Sequence, residues 1–165
     1  MHIVGVDPGL QDTGVVGIRL DFDRKLVDVQ STVVNKGKPA QIIDAVKGME
    51  PSGFVFCEEY NPRHTLNTDR AMVELQHQLK LAMPSIRLVK NTGVKQVIKQ
   101  GLMELLHVWS FHTATRHQDL RSAARIALYG AVKNPKLNKD LFNFVESNQE
   151  ERWGYVAQPT HQIQG

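Results

Sequence analysis

Apolar and polar positions change period several times along the chain, and the changes divide it into elements. His2 to Val6 is a β-branched run that stops at Asp7-Pro8-Gly9, and Val15, Val16, Ile18 and Leu20 resume an extended pattern after Gly14. The two runs predict antiparallel strands joined by a tight turn. Lys25 to Val34 alternates as a third strand. Pro39 then opens a helix with Ile42, Ile43, Val46 and Met49 on one face, ending at Pro51 and Gly53. Phe54 to Cys57 is apolar throughout and predicts a central strand covered on both sides, followed by Glu58 and Glu59.

Further along, Asn67 or Thr68 caps a helix with Met72, Leu75, Leu79 and Ala82 inward, and Ile86 to Val89 forms a fifth strand. Thr92 caps one continuous helix carrying Val94, Val97, Ile98, Leu102, Leu105 and Leu106. Val108 to Gln118 connects it to a last core helix, Gln118 to Lys133, whose face of Leu120, Ala123, Ala124, Ala127 and Ala131 is small enough for close approach to a sheet. Arg121 and Arg125 point away from that face. A short helix around Leu141, Phe144 and Val145 follows, and 158–165 is expected to fray. These elements predict an α/β protein with a five-stranded mixed sheet, an antiparallel meander followed by parallel strands, flanked by helices.

The order of elements has a geometric consequence. A strand, a meander, a crossing helix and another strand place Phe54–Glu58 parallel to His2–Asp7. Both then end on the same sheet edge, where open α/β sheets put their ligands. Asp7 and Glu58 become neighbours, and Asp119 sits where the last helix meets that edge. Two roles stay open for Asp7: capping its own turn, or sharing a cation. Glu59 exchanges roles with Glu58 if the strand slips by one residue. Ionised carboxylates at one partly buried edge repel unless a cation lies between them, and all-oxygen donors suit Mg²⁺ or Mn²⁺. Two such ions can activate water and stabilise the leaving oxygen of a phosphodiester.

Composition narrows the classes. A length of 165 residues suits a single fold unit, and one cysteine, Cys57, excludes an internal disulfide and a cysteine-rich zinc module. No apolar run reaches membrane-spanning length, and Met1 leads directly into a strand, so we expect no signal peptide, no membrane association and a cytoplasmic protein. Net charge is only +3, yet between Arg87 and Arg125 seven basic residues face two acids, a segment on which a polyanion can dock.

Ile3 to Gly14 (IVGVDPGLQDTG), Phe54 to Glu58 (FVFCE) and His117 to Leu128 (HQDLRSAARIAL) resemble, in that order, the three acidic motifs of RuvC-type Holliday junction resolvases. The last helix is most similar to the bacteriophage branch. The resemblance implies a ribonuclease H-like fold over 1–133, with 134–165 as a C-terminal tail. It also implies a homodimer and Mg²⁺-dependent cleavage of two strands of branched DNA such as a four-way junction, in recombination and repair and without a small-molecule cofactor. Asp7, Glu58 and Asp119 would hold two ions per site.

The family carries two acids three residues apart in the last helix, and alignment on Ala123 and Ala127 places Ser122 where the second belongs. Ser122 or His117 then supplies the fourth ligand, some relatives using histidine in this region. Lys95 and Lys99 fall where the family has a Gly- and Lys-containing segment, and the resemblance implies them as candidates for phosphate contact. Tyr60, Arg63 and His64 leave the central strand as candidates for touching the crossover. Two alternatives share the fold: a binding module with weak or no catalysis, and an RNA-processing nuclease. A sugar-kinase or actin-like ATPase, which also opens with a strand-Asp-x-Gly turn, needs a longer, duplicated chain.

Overall fold

A computed structural model describes residues 1–49, 53–62, 67–111 and 117–164. The meander consists of β1 (His2–Asp7), β2 (Asp12–Asp21) and β3 (Leu26–Asn35), all antiparallel. After α1 (Pro39–Gly48), β4 (Val55–Glu58) runs parallel to β1, with Val6 opposite Cys57. After α2 (Asn67–Ala82), β5 (Arg87–Val89) extends the parallel side, with Glu58 opposite Val89. The described sheet has seven strands rather than five, in the order β5-β4-β1-β2-β3, with β6 (Gly154–Ala157) and β7 (His161–Gln164) both parallel on the far edge of β3.

Strand alternation sorts the core into two layers. Ile3, Val16, Ile18, Leu20 and Phe56 face α3 (Val94–Val97), α4 (Gln100–Leu105), α5 (His117–Lys133) and α6 (Pro135–Glu150). Val4, Val6, Val15, Val55 and Cys57 face α1 and α2 on the other side. Glycines bring α5 onto the sheet. A Cβ on Gly5 would stand 1.9 Å from the Ala123 carbonyl oxygen, and one on Gly14 would stand 2.5 Å from that of Asp119. The alanine face of α5 therefore rests almost on the backbone of β1 and β2.

The helices between β4 and α5 depart from expectation. The single helix after Thr92 is two short ones, because Gly93 starts α3 at φ 80° and Ile98 is extended (φ −94°, ψ 91°) with its side chain buried. The break shifts the apolar phase, so Met103 replaces Leu102 inside and Val97 faces solvent. In α2, Ala82 is exposed and the buried positions are Asp69, Met72, Leu75 and Leu79.

The C-terminal helix is not short. Pro135 and the Asn134 side chain, which accepts from the Lys136 N–H at 2.9 Å, start a helix of 16 residues that buries Leu137, Leu141 and Phe144. Trp153 follows, edge-on to Phe22 and Phe144, and donates to Ser147 Oγ at 3.0 Å. It anchors the return to β6. Within the segment expected to fray, His161–Gln164 forms β7 instead, with Ser31–Thr160 and Gln164–Asn35 side-chain hydrogen bonds beside the backbone pairing. β3 supplies the unpaired edge that these segments complete.

Gly5→Ala is predicted to cost about 3 kcal/mol or more, since the added carbon meets backbone rather than a mobile side chain. Urea denaturation measures it, with the midpoint falling and the slope unchanged.

Candidate metal and nucleic-acid site

The Pro8–Thr13 turn is closed by Thr13: its hydroxyl accepts from the Gly9 N–H and donates to the Gly9 carbonyl, both at 3.2 Å. Of the two roles open to Asp7, capping is thus filled by another side chain. Alternation from Ile3 and Gly5 points Asp7 to the α5 side of the sheet, and alternation from Phe56 points Glu58 to the same side. The parallel register makes the two residues neighbours.

The Asp7 and Glu58 side chains hydrogen-bond each other, and the charge of Asp119 reaches Asp7 from the first turn of α5. Burial above all, then the hydrogen bond and charge of Glu58, then Asp119, push the Asp7 carboxyl up to about 9. Beneath it Cys57 is pushed up to about 12, mainly by burial and further by the two acids, and stays a thiol. Asn91 Nδ2 donates to Glu58 Oε1 at 2.6 Å, fixing one carboxylate oxygen. Glu59 follows on the same edge, its backbone N–H donating to the Val89 carbonyl at 2.8 Å.

Beside the acids lies an open cleft of about 960 Å³ lined by Glu58, Glu59, Tyr60, Asn61, Lys90–Gly93, Lys95 and Gln96. Lys95, on α3, is on it. Lys99 precedes α4 and does not line it. Tyr60 is a fixed wall: its hydroxyl donates to Asp69, its backbone N–H donates to Gln76 Oε1 at 2.6 Å, and its ring packs on the α1/α2 layer. Arg63 and His64 lie outside the described residues, as does the side chain of His117, whose backbone opens α5. Ser122 is half-buried in α5, one residue before Ala123.

Sequence reasoning missed Thr13, Asn91 and the position of Lys90. The last two were within reach: β5 also ends on the shared edge, so the residues just after Val89 belong to the site.

No family model matches the sequence, and comparison with curated proteins finds no match either. Solved structures do match. RuvC of Thermus thermophilus superposes with a TM-score of 0.56 at 15% identity, covering 78% of this chain and 92% of that one. The chain has a RuvC-type, ribonuclease H-like fold.

The RuvC-type fold is also found in T. thermophilus RuvC in complex with Holliday junction substrate (TM-score 0.51, 14% identity, 93% of this chain and 98% of that one). A third match is Fowlpox virus resolvase in complex with its substrate Holliday junction DNA (TM-score 0.54, 11% identity, 78% and 95%). Among the described residues no helix is long and apolar enough to cross a membrane.

The residues of this RuvC-type sheet edge fit a divalent cation by donor chemistry. Asp7, Glu58 and Asp119 are all oxygen donors, and their crowding leaves Asp7 holding a proton that a cation would displace. Among the described residues no three His, Cys, Asp or Glu side chains already stand close enough to cage an ion. The notch is a touching pair with a third acid at longer range.

A pH dependence follows. The folded chain keeps a proton on Asp7 that the unfolded chain releases near pH 4, so the native state binds more protons from there to about pH 9. Stability contributed by this group is complete below that window and is lost as pH climbs through it. Asp7→Asn is therefore predicted to raise the metal-free melting temperature at pH 7–8, by roughly 2–4 °C per kcal/mol relieved, and to flatten its decline with pH. Differential scanning calorimetry across pH 5–9 measures both effects.

Proposed function

We propose that the chain is a metal-dependent endodeoxyribonuclease that cuts branched DNA, with the four-way junction as its substrate. The observation that carries this is the contact of Asp7 with Glu58 under the influence of Asp119, at the mouth of a cleft that also presents Lys90 and Lys95. Similarity in fold to two resolvases solved with Holliday junction DNA supports the choice of substrate.

Asp7, Glu58 and Asp119 would hold Mg²⁺ or Mn²⁺, two ions in the full site, with Ser122 or His117 as the fourth contributor. Such ions supply an activated water and charge relief at the leaving oxygen of an in-line displacement. The chain's own residues do the rest. Asn91 holds Glu58 in one orientation. Lys90 and Lys95 draw the phosphate backbone along the cleft, and Tyr60, locked by Asp69 and Gln76, gives the strand a rigid wall on which an unpaired base can stack. Lys99, Arg63 and His64 remain candidates for outer contacts. Two scissile strands call for two sites, hence a homodimer.

A binding module without catalysis is the second reading, favoured by Ser122 standing where the family has an acid. Incubation with matched linear, forked and four-way DNA over a Mg²⁺ series separates the two. Paired symmetric nicks in the four-way junction are expected, and tight junction binding with no nick at any Mg²⁺ concentration would leave the binding module. Asp7→Asn should remove nicking by a factor of 10³ or more, on the order of magnitude of losing a main charge-stabilising group, while leaving junction binding intact. Lys95→Gln should lower the slope of log affinity against log salt by about one.

A further inference from the structure

On the side of α5 away from the acids, two arginines share one aromatic ring. The Arg121 guanidinium lies 4.1 Å from the Trp109 ring centroid and that of Arg125 lies 5.4 Å from it, while Arg121 Nε donates to the Trp109 carbonyl. Both side chains are half-buried rather than waving in solvent, which alters the expectation that they simply point away. Among the described residues neither guanidinium forms a salt bridge with a carboxylate. Arg125 Nε is buried with no hydrogen-bond partner. Burial, then the charge of Arg121, shift Arg125 down from the ordinary arginine value.

Two like charges held side by side without a counter-charge are unfavourable in the free protein. The cation–π contacts with Trp109 hold them in place, and a pre-set fork of guanidinium donors is the geometry that takes a phosphate bidentately. We propose that Arg121 and Arg125, fixed by Trp109, form a second phosphate subsite for the DNA backbone, separate from the cleft of Lys90 and Lys95.

Its position suits that role. Helix geometry puts Arg121 about 3 Å and Arg125 about 9 Å along α5 from Asp119, across a helix about 10–12 Å wide. A strand leaving the acid notch around the start of α5 meets the pair a few nucleotides on, at about 3.4 Å per nucleotide. The subsite rests on the nuclease reading for its place on the DNA path but not for its chemistry.

Binding of a linear duplex and of a four-way junction, measured in EDTA over a salt series, tests it. The double variant Arg121→Gln/Arg125→Gln should lose about two units of salt slope and more than tenfold in affinity at moderate salt. Arg125→Lys, which keeps the charge, should recover most of the slope. In a Trp153→Phe background Trp109 is the remaining tryptophan, and its fluorescence should change saturably with DNA. If loss of the Trp109 stacking unfolds the double variant, Arg125→Gln alone should lose about one unit. A folded variant with an unchanged slope overturns the subsite and leaves the arginines as packing for Trp109. Binding that depends on these arginines without nicking in Mg²⁺ supports the subsite while sinking the nuclease reading. Normal nicking with an unchanged slope does the reverse.

Discussion

Two carboxyl groups half-buried on adjacent parallel strands must share either a proton or a cation, and the structure around Asp7 and Glu58 keeps them together. In the metal-free chain they share a proton, which is why Asp7 stays protonated far above its ordinary range. Several elements enforce the contact. The β1–β4 register sets the pair, Thr13 closes the neighbouring turn so that Asp7 is spared, and Asn91 ties down Glu58. Gly5 and Gly14 let α5 approach until its first acid acts on the same point. The crowding is a local cost tolerated by a well-packed core, the pattern expected where a site is shaped for a ligand rather than for stability.

Much of this edge was legible from residue order. A β-branched run ending in Asp7 and an apolar run ending in Glu58 needed only the crossover rule to become neighbours, and the alanines of α5 announced a close helix–sheet contact. The partner half of that contact, Gly5 and Gly14, was visible as residues but not as a surface, because period-2 patterns do not show which face a glycine opens. The break at Ile98 was hidden for a related reason. Val94 to Leu106 satisfies a helical stripe on paper, and only the demand of the core for Ile98 and Met103 together shows that the stripe changes phase.

The C-terminal segment was the least readable part. Gly154–Ala157 and His161–Gln164 are short and largely exposed, so neither carries a hydrophobic signature. What orders them is non-local: the free edge of β3, and Trp153 seated between Phe22 and Phe144. Similarly, nothing in the spacing of Arg121 and Arg125 predicts that both settle on Trp109, since a solvated helix face has the same pattern.

Everything proposed for this edge requires the acid notch to take divalent ions. Anomalous diffraction from crystals grown in Mn²⁺ tests this directly. A peak is expected within about 2.0–2.4 Å of carboxylate oxygens of Asp7 and Glu58, with Asp119 turned toward it, and no such peak in Asp7→Asn crystals. Well-ordered acids with manganese bound only elsewhere on the surface would contradict it.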